Sequence, residues 1–275
     1  MTRRSRGIHA AWHFWYAVSF GGESGLRKVG LGGIHPLTQR YTNKEIQQME
    51  TVLITGGSRG IGLELTRQFL ALGYSVISTY RGQPSMQLKS MLVNSSLTLH
   101  ELEVTDETSI ANLVSKLSNV QLDILINNAG VIGSDEQSME TIDPKEWLNT
   151  FAVNSIAPLM VSRALLGLLE PSVNPRIITV SSQMGALNRE SYGMYAYRSS
   201  KAAVNKVMQV LALELKPKGI VVCPIHPGWV KTDMGGKDAD ITVEESASGI
   251  VKLASNLTLE QSGKFLTWQG TEHVW

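Results

Sequence analysis

Cysteine is almost missing from this sequence: Cys223 is the only one in 275 residues. A single thiol cannot form an internal disulfide, so cross-linking within the chain does not stabilise the fold. The three residues directly before it are apolar, and this setting predicts that Cys223 is a small core residue.

The chain also has no large excess of positive or negative charge. The formal net charge is +1, which provides no whole-chain basic field for a nucleic acid. Residues 1–50 hold seven Lys and Arg against three Glu, whereas residues 51–275 hold eighteen against twenty-one acidic residues. Because the larger part is mildly acidic and has no basic stripe, no nucleic-acid partner is expected.

Long apolar runs are the third absence. No stretch approaches the roughly 20 consecutive apolar residues that cross a bilayer, so no membrane span is expected. Hydrophobic residues still make up 43% of the chain, which is enough to form the core of one α/β domain. No metal site is expected.

Residues 1–48 differ from the rest of the chain. Three arginines near the start precede an aromatic patch at residues 12–16, and glycine-rich polar sequence follows. We favour a non-native upstream start, because Met49 stands immediately before the first predicted strand. An organelle targeting peptide is the second interpretation, and a signal peptide agrees less well because His13 interrupts its apolar region. We expect a poorly ordered extension, followed by a domain at residues 49–275 that is cytoplasmic, or organellar if the extension is a targeting peptide.

A cluster of glycines provides the first functional signal. The apolar residues 52–54 are followed by Gly56, Gly60 and Gly62 in the pattern G-x-x-x-G-x-G, and then by apolar residues at helical spacing. This order predicts a strand, a glycine turn and a helix. A glycine turn lets the backbone approach a phosphate, and the free N–H groups of a helix start attract it. The pattern predicts the first half of a dinucleotide-binding unit, although an ordinary glycine-rich turn has the same spacing.

An acidic residue is missing where a site that prefers NAD has one. Such sites place Asp or Glu at the end of the second strand, where it accepts hydrogen bonds from the ribose. Here that strand ends at Thr79, Tyr80 and Arg81. Arg81 and Arg59 can instead pair with a 2′-phosphate, whose geometry suits a guanidinium. The sequence predicts NADP(H) as the preferred coenzyme and NAD(H) as a possible one, with two solvated surface arginines as the alternative.

Strand and helix patterns alternate along the rest of the chain. The alternation predicts an α/β fold, a single Rossmann-type domain with a doubly wound parallel sheet of about seven strands and helices on both faces. The polar residues 233–243 are predicted to form a lid. The predicted strands cover residues 52–54, 74–80, 97–104, 122–126, 176–180, 220–225 and 263–267, and the predicted helices cover residues 60–72, 106–117, 144–169, 193–215 and 243–254.

Tyr197 and Lys201 are four residues apart in a predicted helix and therefore share one face. Ser182 follows the fifth predicted strand, at the rim where a nucleotide would lie. A free phenol has a pKa of about 10, and a nearby ammonium lowers it. Tyr197 can then exchange a proton with a carbonyl oxygen that Ser182 holds, while a hydride is transferred. A solvated surface pair is the alternative, because Tyr-x-x-x-Lys alone is a common pattern.

Across residues 51–275 the sequence resembles the short-chain dehydrogenase/reductase family. It is similar to the subgroup of C-factor signalling proteins and sniffer-type carbonyl reductases, which share the context of Tyr195–Arg198. Each motif alone is modest, but their joint occurrence in this order is highly specific. The motifs are residues 55–62, residues 127–130, Asn154, Ser182, Tyr197 with Lys201, and Pro227 with Gly228.

The resemblance implies an NADP-dependent oxidoreductase that interconverts a small carbonyl compound and an alcohol. It implies that Tyr197 is the general acid/base, that Ser182 contacts the substrate oxygen, that Lys201 contacts the nicotinamide ribose, and that Asn154 belongs to a proton relay through water. A homodimer or homotetramer is also expected. The expected coenzyme contacts are Gly56, Ser58, Arg59, Gly60, Ile61, Arg81, Val104, Asn128, Ala129, Gly130, Tyr197, Lys201, Pro227, Gly228, Val230 and Thr232.

Two features depart from the family pattern. Ser182 and Tyr197 are 15 residues apart, which is slightly more than usual, so an extended loop is predicted and Ser181 is the alternative catalytic serine. Glu103 stands where the family usually has an Asp that faces adenine, which leaves the backbone of Val104 as the expected contact. The alternative function is a signalling or sensor protein that binds the coenzyme on the same fold with weak or incidental turnover.

Overall fold

The structure, a computed structural model, describes residues 49–275. The predictions of a poorly ordered extension, an upstream start or a targeting peptide concern residues 1–48 and lie outside the described residues.

The described residues form one seven-stranded parallel sheet in the order β3-β2-β1-β4-β5-β6-β7. The prediction of a doubly wound parallel sheet of about seven strands is thus confirmed. Its strands are β1 (Thr51–Ile54), β2 (Ser75–Tyr80), β3 (Leu97–Glu101), β4 (Ile124–Asn127), β5 (Arg176–Val180), β6 (Val221–His226) and β7 (Leu266–Thr267).

Helices cover both faces of the sheet. They are α1 (Gly60–Ala71), α2 (Met86–Ser90), α3 (Glu107–Lys116), α4 (Pro144–Phe151), α5 (Ala157–Leu169), α6 (Tyr195–Leu215) and α7 (Val243–Asn256). Apolar side chains of α3, α5 and α6 form the core on one face, and those of α1 and α7 form the core on the other. Both faces of the central strands are buried, which explains why residues 52–54 of β1 and residues 124–126 of β4 are apolar without interruption.

The order of the strands determines where a ligand can bind. The chain leaves β1 to build β2 and β3 on one side, then returns to place β4 on the other side of β1, where Val52 is in register with both Val76 and Ile124. A crevice opens at this switch point, outside the carboxyl ends of β1 and β4.

Two strand boundaries differ from the prediction by three residues, and the others by at most two. The third strand ends at Glu101 instead of residue 104, because its only neighbour ends at Tyr80, the partner of Glu101. The last strand contains only Leu266 and Thr267, which pair with the final residues of β6. The short helix α2 was not predicted; the side chain of Ser85 caps it by accepting a hydrogen bond from the Leu88 N–H.

The predicted helix at residues 144–169 is interrupted by one wide turn. A π-helical segment, Ala152–Ile156, joins α4 to α5, and Asn154 lies at its centre. Such segments are rare and often occur at functional sites. Residues 144–169 are therefore helical throughout, as predicted, but their hydrogen bonds change from α-helical to π-helical at residues 152–156.

By length and composition, Pro144–Leu169 is apolar enough to cross a membrane, although half of its most apolar window is buried within the domain. No membrane span was expected, because polar residues such as Asn154 and Arg163 interrupt the apolar residues of this segment. The burial is that of a core helix, with Val161, Leu165 and Leu169 packed in the hydrophobic core.

Candidate active site

A cleft of about 670 Å³ lies at the carboxyl ends of the central strands. This volume is in the range of small-molecule and cofactor sites. Of the sixteen expected coenzyme contacts, two are not brought to its wall. Fourteen line the cleft, namely Gly56, Ser58, Arg59, Gly60, Ile61, Arg81, Val104, Asn128, Ala129, Gly130, Tyr197, Lys201, Pro227 and Thr232.

The two remaining residues, Gly228 and Val230, lie behind the cleft. Gly228 has φ +90°, and a Cβ there would lie 2.3 Å from Ile241 Cδ1. Val230 is buried and pairs with Ile241 in an isolated bridge. Both residues therefore shape the loop that follows β6 instead of lining the cleft.

The glycine turn is tight enough to exclude side chains. A Cβ on Gly62 would lie 2.3 Å from the Gly56 carbonyl oxygen, and a Cβ on Gly57 would lie 1.8 Å from Ser78 Oγ. Beside them, the buried hydroxyl of Ser58 has no hydrogen-bond partner among the described residues. A buried hydroxyl normally has a partner, so this one is available to an acceptor in the cleft.

The loop after β4 braces this turn. Thr55 Oγ1 accepts hydrogen bonds from the backbone N–H groups of Asn128 and Ala129, both at 3.0 Å. The Asn128 side chain donates to the carbonyl oxygens of Thr55 at 2.9 Å and Gly56 at 3.1 Å. Asn128 therefore acts as a strut between the ends of β1 and β4.

Both arginines that were predicted to bind a 2′-phosphate are exposed and lie near carboxylates. Arg59 pairs with Asp233 in the predicted lid at 3.0 Å, and Arg81 lies 3.6 Å from Glu103. Glu103 also accepts from the Thr105 hydroxyl. Exposed ion pairs contribute about 0–1 kcal/mol, so these pairs can exchange partners readily.

Tyr197 and Lys201 lie together at the inner end of the cleft. Both side chains are buried, and Lys201 Nζ lies 5.7 Å from the centre of the Tyr197 ring. The ammonium donates a hydrogen bond to the Val180 carbonyl oxygen at 2.9 Å, which holds it at the end of β5. The alternative interpretation, a solvated surface pair, is thus excluded.

Burial controls the pKa values of this pair. Burial raises the pKa of Tyr197, and a hydrogen bond with the Ser182 side chain acts in the opposite direction. Burial lowers the pKa of Lys201 to about 8. The expectation of a lowered pKa for Tyr197 is therefore not met: desolvation of the buried phenol is the largest effect, and the Lys201 ammonium donates its hydrogen bond to Val180.

The two candidate serines have different surroundings. Ser181 belongs to the cleft wall, and its buried Oγ donates to Asn205 Oδ1 at 2.6 Å, whereas Ser182 does not line the cleft. Ser182 Oγ accepts from the Met184 N–H at 3.1 Å and interacts with the Tyr197 hydroxyl. Because its oxygen accepts the backbone bond, the hydroxyl hydrogen of Ser182 remains available to donate.

Asn154 is buried beneath the same pocket. Its Nδ2 donates to the Val131 carbonyl oxygen at 2.8 Å and to Ser200 Oγ at 3.0 Å, and its Oδ1 accepts from the Val131 N–H at 2.9 Å. A Cβ on Gly130 would lie 3.2 Å from Asn154 Oδ1 and 3.6 Å from Lys201 Nζ. Asn154 therefore holds the loop after β4 against the Lys201 side of α6.

Two buried polar residues of the site were not predicted. His226 Nδ1 accepts from the Gln183 N–H at 3.2 Å, immediately after Ser182, and its burial lowers its pKa to about 4. Gln137 caps the first turn of α6 from a distant loop. Neither residue belongs to a spaced motif, and only the position of His226 at a strand end gave any signal.

Comparison with known proteins identifies the family. The profile of the short chain dehydrogenase family matches residues 50–241. The chain belongs to this family. C-signal from Myxococcus xanthus is 41% identical over 155 residues, which cover 56% of this chain and 93% of that protein.

Solved structures agree in fold and in activity class. The NADPH-bound carbonyl reductase from chicken fatty liver is 33% identical, with a TM-score of 0.76 over 82% of this chain and 99% of that one. The carbonyl reductase Sniffer of D. melanogaster is 32% identical, with a TM-score of 0.77 over 82% of this chain and 100% of that one. The chain is an NAD(P)-dependent dehydrogenase/reductase, as the motifs predicted.

Proposed function

We propose that this chain is an NADP(H)-dependent carbonyl reductase in which Tyr197 exchanges the proton with the substrate oxygen. The observation that carries the proposal is that Tyr197 and Lys201 are buried in the wall of a cleft that begins at a glycine turn, with the Ser182 side chain hydrogen-bonded to Tyr197. The NADPH-bound relative from chicken fatty liver supports the choice of coenzyme and reaction.

The residues of the cleft suit a dinucleotide phosphate. The Ser58 hydroxyl, which has no partner within residues 49–275, and the start of α1 provide donors for the phosphates. Arg59 and Arg81 are placed to exchange their carboxylate neighbours for a 2′-phosphate, which has more charge than either. When bound, the coenzyme supplies the hydride; the protein residues supply orientation and the proton.

The proton step follows from the pKa values. Because the pKa of Tyr197 is raised, its phenol is protonated at neutral pH, which is the form that gives a proton to a carbonyl oxygen during reduction. Ser182 donates a hydrogen bond to that oxygen and stabilises the charge that develops on it. Lys201, still largely protonated below its pKa of about 8, provides a positive charge that stabilises the phenolate left behind.

The test combines coenzyme titration with turnover. The wild-type protein should bind NADPH more tightly than NADH and oxidise it in the presence of members of a panel of ketones and aldehydes. Tyr197→Phe removes only the hydroxyl, so we expect kcat to fall by about 10²–10⁴-fold, with NADPH affinity almost unchanged. Loss of binding in Tyr197→Phe, or turnover close to wild type, would contradict the assignment of Tyr197.

A signalling role is the second candidate, and the 41% identity to a protein named C-signal favours it. In that case turnover is incidental and coenzyme binding is the event that matters. The same variant separates the two functions, because a biological activity that persists in Tyr197→Phe does not need the proton transfer.

A further inference from the structure

The helix that carries Tyr197 begins without a cap of its own. Met194 stands at the N-cap position in a left-handed conformation, φ 57°, and its side chain makes no capping bond within the described part of the chain. The first backbone N–H groups of a helix have no partner inside it. In α6 these groups include the N–H of Tyr197 itself.

Gln137 supplies the missing acceptor from a loop 60 residues earlier. Its Oε1 accepts from the Tyr197 N–H at 3.0 Å, and its backbone oxygen accepts from the Tyr195 N–H at 3.5 Å. Its Nε2 donates to the carbonyl oxygens of Ile132 and Ser134, both at 2.8 Å. The residue is only 4% exposed, so its side-chain amide is built into the site as a bridge.

The loop is shaped to receive this amide. Gly133 has φ +90°, and a Cβ there would lie 2.8 Å from Thr150 Oγ1 and 3.1 Å from Gln137 Nε2. At the start of the same loop, Asn154 bonds to both backbone groups of Val131. Residues 131–137 are therefore attached at one end to Asn154 and at the other to the backbone of Tyr197.

We propose that Gln137 is a positioning residue for the proton transfer: it fixes the backbone of Tyr197 and couples the pocket loop, residues 131–137, to the first turn of α6. This inference rests on the proposed function. Gln137 acts through the backbone of Tyr197, and the pKa and direction of the phenol depend on where that backbone places it between Ser182 and Lys201.

The test uses Gln137→Met, which retains the length of the side chain but removes its hydrogen bonds. We expect kcat to fall about 10–100-fold, since small misplacements of a reacting group have effects of this size. The dissociation constant for NADPH should stay within about twofold of wild type, since the glycine turn is untouched. The primary deuterium isotope effect on kcat, measured with NADPH deuterated at the transferred position, should rise because the chemical step has become slower.

Gln121→Met is the matched control. Gln121 is a half-buried glutamine whose side chain also donates a hydrogen bond, to Asp123 Oδ1, but it precedes β4 at the opposite end of the sheet. This variant should retain the wild-type kcat and isotope effect. Gln137→Asn retains the amide but withdraws it by one methylene, and should raise the isotope effect with a smaller loss of stability, which gives a second route if Gln137→Met folds poorly.

Two kinetic outcomes would overturn the proposal. In the first, both Gln137 variants have the same kcat and isotope effect as the control. In the second, kcat falls only in proportion to a loss of NADPH-binding sites, and the isotope effect does not change. Amide hydrogen exchange tests the contact without turnover: the Tyr195 and Tyr197 amides should exchange faster in the Gln137 variants than in Gln121→Met. A wild-type protein that reduces no carbonyl compound would contradict the proposed function, whereas unchanged amide exchange would contradict the role of Gln137.

Discussion

The two ends of the cleft are built in different ways. At the glycine turn, backbone atoms approach so closely that a single Cβ on Gly62 would meet a carbonyl oxygen at 2.3 Å. At the Tyr197 end, side chains from distant segments hold the reacting groups, with Gln137 on the helix start and Asn154 on the loop after β4. The first end is specified by residues that are small, and the second by contacts between residues far apart in the sequence.

The largest expected effect comes from breaking the backbone-built end. Gly62→Ala forces the Gly56 carbonyl to move, so we expect NADPH affinity to fall by about 10²-fold or more, which is roughly 3 kcal/mol. Isothermal titration calorimetry measures it. Gly167→Ala is the control, because a Cβ in that exposed part of α5 meets no heavy atom of the described residues within 4 Å. Equal affinity in the two variants would show that the tight turn is not needed for binding.

At the Tyr197 end, the next largest effect is expected from the buried histidine His226. The folded-state pKa of His226 is about 4 against an ordinary value of 6.5, so between these values the unfolded chain binds a proton that the folded one does not. Stability should therefore be complete above about pH 6.5 and fall as the pH drops toward 4, by up to about 3 kcal/mol for a shift of this size. Urea unfolding at a series of pH values measures it.

His226→Gln should flatten this dependence, because the amide does not titrate in this range. His100→Gln is the comparison, since burial and the charge of Lys116 lower the pKa of His100 on the half-buried face of β3. It should flatten the curve less. A pH dependence that is the same in His226→Gln and in wild type would contradict the buried, neutral state of His226.

The smallest effect is expected at Met194, the one non-glycine residue with positive φ among residues 49–275. A left-handed conformation costs an L-residue about 1–2 kcal/mol, and glycine avoids this cost but gains entropy in the unfolded chain. Met194→Gly should therefore change the free energy of unfolding by less than about 1 kcal/mol. Met194→Val should destabilise by more, since a β-branched residue is poorly tolerated there, and thermal unfolding compares the two. Equal stabilities would show that the turn is not held in this conformation.

The contrast between the two ends also explains what the sequence predicts. Gly56, Gly60 and Gly62 identify the backbone-built end, because short-range spacing determines their geometry. Tyr197 and Lys201 are found for the same reason, since four residues along a helix place them on one face. The alternation of apolar strands and helices likewise predicts the sheet, its direction and both helical layers.

What sequence reasoning missed depends on the packing. The contact of Gln137 with Tyr197 spans 60 residues and requires the left-handed turn at Gly133. The sequence predicted a lowered pKa for Tyr197, but the pKa is raised, because spacing reveals the neighbouring ammonium but not the depth of burial. Gly228 and Val230 do not line the cleft, since Val230 pairs with Ile241 and Gly228 packs closely against it, so their contact with the coenzyme stays a prediction.

The wide turn at residues 152–156 sets a strict requirement on the length of this part of the chain. Each residue advances a regular α-helix by about 100°, so a one-residue deletion that restores ordinary α-helical bonding would rotate α5 by that angle relative to α4. After this rotation, Val161 and Leu165 could not stay packed in the core while Asn154 keeps its hydrogen bond to Val131; one of the two contacts would be lost. The extra residue in this turn lets the continuous helical segment keep both contacts, the core packing of α5 and the hydrogen bonds of Asn154.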